Sequence, residues 1–151
     1  MAIDIADSSG SDWVDGGALV RQTSYLLDRL HLDPEVEVSI ALVDEVEMTR
    51  LHVEWMDEPG PTDVLSFPMD DLLPGQPGAP RPNGVLGDIV LCPAVAIRQA
   101  ETAGHSGVEE MELLLTHGVL HLLGHDHTEP EEHARMFTLQ DQLLLDWRAQ
   151  S

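Results

Sequence analysis

Strand-like and helix-like segments alternate along this chain, and their order predicts its fold class. Two patterns predict strands: apolar residues that alternate with polar ones, and apolar runs that end before a proline. They predict four strands, at 2–6, 36–43, 64–67 and 85–92. Helical spacing of apolar residues predicts helices over 14–31, 44–56, 93–102, 108–123 and 131–147. This order predicts an α+β fold, a small mixed sheet covered by about five helices.

The size of the chain predicts one domain. Its 151 residues, 42% of them hydrophobic, suffice for one core and are too few for two ordinary domains. We therefore expect residues 1–151 to form a single domain, with the Pro- and Gly-rich residues 70–85 as a loop rather than a linker. The start lacks the features of a secretory signal, and no apolar run reaches membrane-spanning length. We expect a soluble, cytoplasmic protein.

The charge restricts the possible partners. The formal net charge is −21, from 28 acidic and 7 basic residues. Such a charge repels free nucleic acid and anionic membranes, so an anionic substrate must be bound locally or delivered by a partner. The single cysteine, Cys92, excludes an internal disulfide and a cysteine-based zinc motif, and its apolar surroundings predict a small core residue.

Local patterns predict two helix boundaries and one buried face. Asp44 is expected to cap the helix over 44–56, whose inner side is predicted to carry Val46, Leu51 and Trp55. Gly124 is expected to end the next-to-last helix in a left-handed conformation.

Four of the eight histidines fall within residues 117–127, HGVLHLLGHDH. His117 and His121 are four residues apart, so on a helix their β-carbons lie about 5–6 Å from each other and their imidazoles are able to converge on one ion. The glycine stop permits a reversal that brings His127 back as a third ligand. The spacing predicts one zinc ion per chain and leaves the fourth tetrahedral position to a water, as in catalytic sites.

Each feature of this stretch also has an ordinary interpretation. Two histidines at this spacing arise by chance more readily than three, and His125 is expected to point outward rather than to bind the metal. Asp126 either orients a ligand or caps the turn. Gly118 occupies the position at which H-E-x-x-H metalloproteases carry their catalytic glutamate, which argues against a protease.

The histidine stretch closely resembles the H-G-x-L-H-L-x-G-[YH]-D-H signature of the YbeY family, bacterial endoribonucleases and rRNA maturation factors. Residues 61–68, PTDVLSFP, and 86–92, LGDIVLC, also resemble family segments in the same order. The resemblance implies zinc bound by His117, His121 and His127, and cleavage of single-stranded RNA. It further implies roles in maturation of the 3′ end of 16S rRNA and in ribosome quality control. The metal is expected at the floor of a cleft, with residues 62–67 as one wall.

One position departs from the family pattern. Many members carry an arginine just before PTDVLSFP, where it is able to contact phosphate, and Met56 takes that place here. Thr62, Asp63 and Ser66 are candidates for substrate binding, although such residues also satisfy nearby backbone groups. Phe67 either stacks on a base or packs in the core.

Three functions are therefore compared. The first is a zinc-dependent endoribonuclease acting in rRNA maturation, to which a small-subunit ribosomal protein or an assembly GTPase presents the RNA. The second is a non-catalytic ribosome-assembly factor with a structural metal, consistent with the acidic surface and Met56. The third is a zinc hydrolase of another substrate.

Overall fold

Four strands and five helices follow one another in the part of the chain that the computed structural model describes, residues 2–124 and 130–150. The strands are β1 (Ile3–Asp7), β2 (Glu37–Leu42), β3 (Val64–Pro68) and β4 (Val85–Leu91). The helices are α1 (Gly16–Arg29), α2 (Glu45–Met56), α3 (Pro93–Ala103), α4 (Gly107–Leu122) and α5 (Pro130–Gln150). The predicted α+β class is confirmed, and the predicted elements are present with small shifts at their ends. Within the same residues, no helix combines the length and the apolar character needed to cross a membrane.

The strands form one mixed sheet in the order β1-β2-β4-β3. The β1/β2 and β2/β4 pairs are parallel, and β3 joins the edge antiparallel to β4. Ile5, Ile40, Ile89 and Ser66 are aligned as neighbours across the four strands. Because aligned neighbours point to the same face of a sheet, Ser66 continues a row of isoleucines on the face that carries the main core.

Helix α4 is the central helix on that face. It contacts α1, α3 and α5 as well as strands β3 and β4. Its buried side chains join those of the sheet and of the neighbouring helices in one apolar cluster, which includes Leu26, Leu42, Ile89, Leu115, Leu120 and Met136. Each fully buried side chain of this size contributes about 1.5–3 kcal/mol of transfer free energy, so the position of α4 on the sheet is strongly determined.

The opposite face of the sheet carries a smaller core, to which α2 and the start of α3 contribute side chains. Cys92 is completely buried there, as predicted, and Met48 is the buried residue of α2. The predicted inner face of α2 is wrong in part, because Val46 is 81% exposed and Trp55 62% exposed. Val46 lies two residues, about 200° of helix rotation, from Met48 and so faces solvent. Trp55 lies two turns beyond Met48, near the end of the helix, where its ring meets that of Phe67 edge to face at 6.0 Å and most of its surface stays exposed.

Both predicted helix boundaries are confirmed. The carboxylate of Asp44 accepts a hydrogen bond from the backbone N–H of Glu47 at 2.9 Å and caps α2. Gly124 follows α4 with φ of +84°, the left-handed conformation that glycine adopts without a steric penalty. Residues 125–129 lie outside the described part of the chain.

Candidate active site

His117 and His121 lie side by side on the last turns of α4. Their ring centroids are 4.4 Å apart and their planes are inclined by 60°. The helix that carries them begins with a capping box, in which Ser106 and Glu109 each bond the other's backbone N–H. Because α4 is fixed by its cap and by its buried side, the two imidazoles are held in a defined relative position.

Gly118 brings this part of α4 close to the sheet. A β-carbon at this position would lie 3.1 Å from Ile89 Cγ2, 3.3 Å from Ser66 Oγ and 3.5 Å from a methyl group of Val64. The carbonyl of Gly118 also accepts a hydrogen bond of 3.3 Å from the Ser66 hydroxyl. This close packing brings the histidines next to β3.

A cavity of about 320 Å³ opens between α4, β3 and the end of α2. The described residues that line it are Met56, Val64, Leu65, Ser66, Pro68, His117 and His121. Strand β3 thus forms one wall, so residues 64–66 of the segment 62–67 lie where the family resemblance implies, whereas Thr62, Asp63 and Phe67 are not part of the described lining. Among the described lining residues the two imidazoles and the Ser66 hydroxyl are the polar side chains, and none carries a permanent charge.

Helix α5 contributes a residue that the sequence does not reveal. Gln140 is 3% exposed, and its amide oxygen lies 2.9 Å from His117 Nδ1. An amide oxygen only accepts hydrogen bonds, so Nδ1 is the donor. The Gln140 amide oxygen is therefore placed to accept a hydrogen bond from Nδ1 and to hold the orientation of the His117 ring. The only signal in the sequence is a polar residue inside the apolar stripe of α5, and that signal does not name the partner.

The two described histidines fit a zinc ion by their chemistry and spacing. Neutral imidazole nitrogens are common zinc ligands, and zinc-ligating histidines usually donate their other ring N–H to an oxygen acceptor, as His117 does to Gln140. Among the side chains that the structure describes, no group of three or more from His, Cys, Asp or Glu is placed to hold a metal. The predicted third ligand, His127, lies outside the described residues, as do His125 and Asp126.

The predicted substrate-binding residues occupy different environments. The Ser66 hydroxyl lines the cavity. Asp63 accepts hydrogen bonds from the backbone N–H of Val64 at 2.7 Å and from the Thr62 hydroxyl at 3.3 Å, which is the arrangement of a capped turn. Thr62 and Asp63 precede β3 and lie outside the described lining of the cavity. A role for these three residues in substrate binding stays a prediction.

Met56, where many family members carry arginine, lies at the cavity. It ends α2 and lines the cavity with 43% of its surface exposed. Phe67, by contrast, points to the other face of the sheet because it is adjacent to Ser66 on β3. There it packs against the smaller core and against Trp55, so the prediction of a packing role is confirmed.

Arginine side chains lie elsewhere and contact carboxylates. Six of the seven basic residues of the chain form ion pairs with Asp or Glu side chains: Arg21, Arg29, Arg50, Arg81, Arg98 and Arg148. Among them Arg148 bonds Glu112 on α4, a carboxylate that also accepts the Trp147 indole N–H at 3.0 Å. These six guanidinium groups offset acidic charge on the surface, and none of them lines the cavity.

Comparison with known proteins decides the family. The sequence profile of the family described as "Endoribonuclease YbeY" matches residues 15–148. The chain belongs to the YbeY family. This assignment confirms the resemblance that the histidine stretch and the two strand segments indicate, and it covers α1 to α5.

Named relatives match over almost their whole length. A protein named "Endoribonuclease YbeY" from Thermobifida fusca is 58% identical over 148 residues, which are 98% of this chain and 95% of the relative. A protein of the same name from Beutenbergia cavernae is 59% identical over 136 residues, 90% of this chain and 91% of the relative. The solution structure of TM1509 from Thermotoga maritima has 25% sequence identity and a TM-score of 0.65, with 98% of this chain and 93% of that one covered. The fold is thus shared with a solved structure whose match covers 98% of this chain.

Proposed function

We propose that this YbeY-family chain is a zinc-dependent endoribonuclease that cleaves single-stranded RNA during maturation of rRNA. The relatives' printed name supports cleavage of RNA. The observation that carries the proposal is the pair of imidazoles, 4.4 Å apart, beside a cavity under an edge strand. We place the reaction in the cytoplasm, with the 3′ end of the small-subunit rRNA as the substrate and ribosome quality control as a further role.

His117 and His121 are proposed to bind one zinc ion per chain, together with His127. When bound, zinc supplies Lewis-acid stabilisation of charge on phosphate oxygens and activates water for attack on phosphorus. The chain's own residues contribute by holding the histidines in position. Gln140 orients His117, and the packing of Gly118 against β3 places both histidines in the cavity that the Ser66 hydroxyl also lines. The Ser66 hydrogen is donated to the Gly118 carbonyl, so its oxygen is left to accept a hydrogen bond from a ribose hydroxyl.

RNA is proposed to reach this site through a partner. The net charge of −21 repels a polyanion, six arginines are paired with carboxylates, and Met56 is unable to bond phosphate. A small-subunit ribosomal protein or an assembly GTPase is the partner that we propose, since either holds rRNA in place without a cationic surface on this chain. The same observations favour the second candidate function, a non-catalytic assembly factor whose metal stabilises the fold.

Cleavage assays on matched RNA substrates test the proposal. The wild-type protein should cleave a labelled single-stranded RNA, and cleave the same strand far more slowly within a duplex. His117→Ala and His121→Ala, purified in parallel, should lose this activity while remaining folded. His31→Asn is the matched control, because His31 lies outside the cavity lining at φ of +60°, a conformation that asparagine tolerates.

The outcomes separate the candidates. Equal cleavage by all four proteins would assign the activity to a contaminating nuclease and remove the proposed site. Absence of cleavage by the wild-type protein, with small ribosomal subunits present, would favour the assembly factor.

A further inference from the structure

Gln140 is a polar residue within the apolar side of α5. The residues that α5 buries at helical spacing around it are apolar: Met136, Leu143, Leu144 and Trp147. A buried amide is costly unless its polar atoms are hydrogen-bonded, so a leucine at this position would pack more simply. The amide therefore indicates a specific partner, and that partner is His117 Nδ1 at 2.9 Å.

A second buried amide in the same core shows the contrast. Gln22 on α1 is 1% exposed, and its Nε2 donates to the carbonyl of Glu112 at 2.9 Å and to the Thr116 hydroxyl at 3.0 Å. Its partners are a backbone carbonyl and a hydroxyl of α4, so it joins two helices. Gln140 instead presents its acceptor oxygen to an imidazole that lines the cavity.

We propose that Gln140 is the positioning residue of the zinc site. This inference rests on the proposed function and deepens it. Because the Gln140 oxygen accepts the Nδ1 hydrogen, His117 is held in the tautomer whose Nε2 carries the lone pair, and a zinc ion bound by His117 is bound through Nε2.

Ring nitrogen shifts in the metal-free protein test the hydrogen bond directly. In the wild type, ¹⁵N NMR of His117 should show a protonated Nδ1 and an unprotonated Nε2. Gln140→Met, which keeps the side-chain volume and removes the acceptor, should lose this preference. Gln22→Met is the matched control, a second buried amide replaced in the same core, and it should leave the His117 pattern unchanged. A wild-type protein with its hydrogen on Nε2 would overturn the proposal without any variant.

Zinc affinity, measured by competition with a fluorescent chelator, tests the consequence. Gln140→Met should weaken binding about 10–100-fold, the usual effect of removing the hydrogen-bond partner of a ligating histidine. Gln140→Glu, which restores an oxygen acceptor, should recover most of the affinity. Gln22→Met should bind zinc as the wild type does, even if it unfolds at a lower temperature. Circular dichroism checks that each protein is folded.

The results distinguish two failures. A folded wild type that binds no zinc would overturn the proposed function together with this inference. A wild type and a Gln140→Met variant that bind zinc equally well would overturn the positioning role alone and leave the proposed function standing.

Discussion

Replacing Gly118 with alanine should destabilise the protein, although the same change usually strengthens a helix. Alanine gains up to about 1 kcal/mol of helix propensity over glycine. At this position, however, the new β-carbon would lie 3.1 Å from Ile89 Cγ2 and 3.3 Å from Ser66 Oγ, closer than the 3.5–4.0 Å at which carbon atoms pack well. Ile89 is completely buried in β4, between β2 and β3, and cannot move aside alone.

The expected change in the free energy of unfolding is the cost of overpacking minus the gain in helix propensity. Overpacking of a core costs about 1–3 kcal/mol, so the free energy of unfolding should fall by roughly 1 kcal/mol after the helix gain is subtracted. The Tm should fall by about 2–4 °C for a chain of this size. Urea denaturation followed by circular dichroism measures the change.

Gly17→Ala is the matched control in another helix. Its β-carbon would meet the ends of two exposed side chains, Arg21 Nη1 at 3.4 Å and Asp15 Oδ1 at 3.3 Å, which caps α1 and needs to shift by only a few tenths of an ångström. This variant should be as stable as the wild type or more stable by up to about 1 kcal/mol. An equal increase in stability in both variants would refute the argument that Gly118 is required for the approach of α4 to the sheet.

Three further predictions concern the cavity, the cap of α4 and the thiol. Met56→Arg should tighten binding to a short single-stranded RNA at low salt, and this gain in affinity should fade as salt rises. Val46→Arg makes the same charge change on the exposed side of α2 and should gain less affinity. An equal gain in affinity by both variants would exclude a specific role for position 56. Ser106→Ala should lower the free energy of unfolding by about 1 kcal/mol at neutral pH. The backbone N–H of Ser106, and after it the side chain, lower the pKa of the Glu109 carboxyl, so the stability that the ionised carboxylate contributes is present above the pKa of the unfolded chain and is lost as pH falls through the folded-state pKa. Ser106→Ala keeps the backbone bond and removes only the side-chain part, so a difference between the two proteins that widens in acid would contradict this account. Burial raises the pKa of the Cys92 thiol, so a thiolate-specific reagent should label it only under unfolding conditions, and rapid labelling of the native protein would contradict the burial.

The sequence predicts most of the fold because its signals are local. Alternation in 36–43, proline after two apolar segments and the glycine after α4 each mark an element without reference to the rest of the chain. The inner face of α2 was predicted wrongly at Val46 and Trp55 because periodicity gives a direction around a helix, whereas burial also depends on where the core ends along it. The order of the strands depends on pairings between distant segments, which no local pattern contains.

Part of the candidate site is likewise predictable from local sequence patterns, and part of it is not. The spacing of His117 and His121 is a local property of a helix, so their proximity follows once the helix is predicted. Gln140 lies 23 residues from its partner on another helix, and its role depends on how α5 packs against α4. Met56 was identified by comparison with the family pattern, and its place beside the histidines shows that the departure falls at the cavity itself.

The central claim is that zinc held by these histidines is required for cleavage and not only for folding. The most direct measurement compares RNA cleavage by zinc-loaded and chelated protein at a temperature where circular dichroism shows both to be folded. Chelation should abolish cleavage of single-stranded RNA, added zinc should restore it, and His121→Ala should behave like the chelated protein. Cleavage by the folded, metal-free protein at the rate of the zinc form would contradict the account.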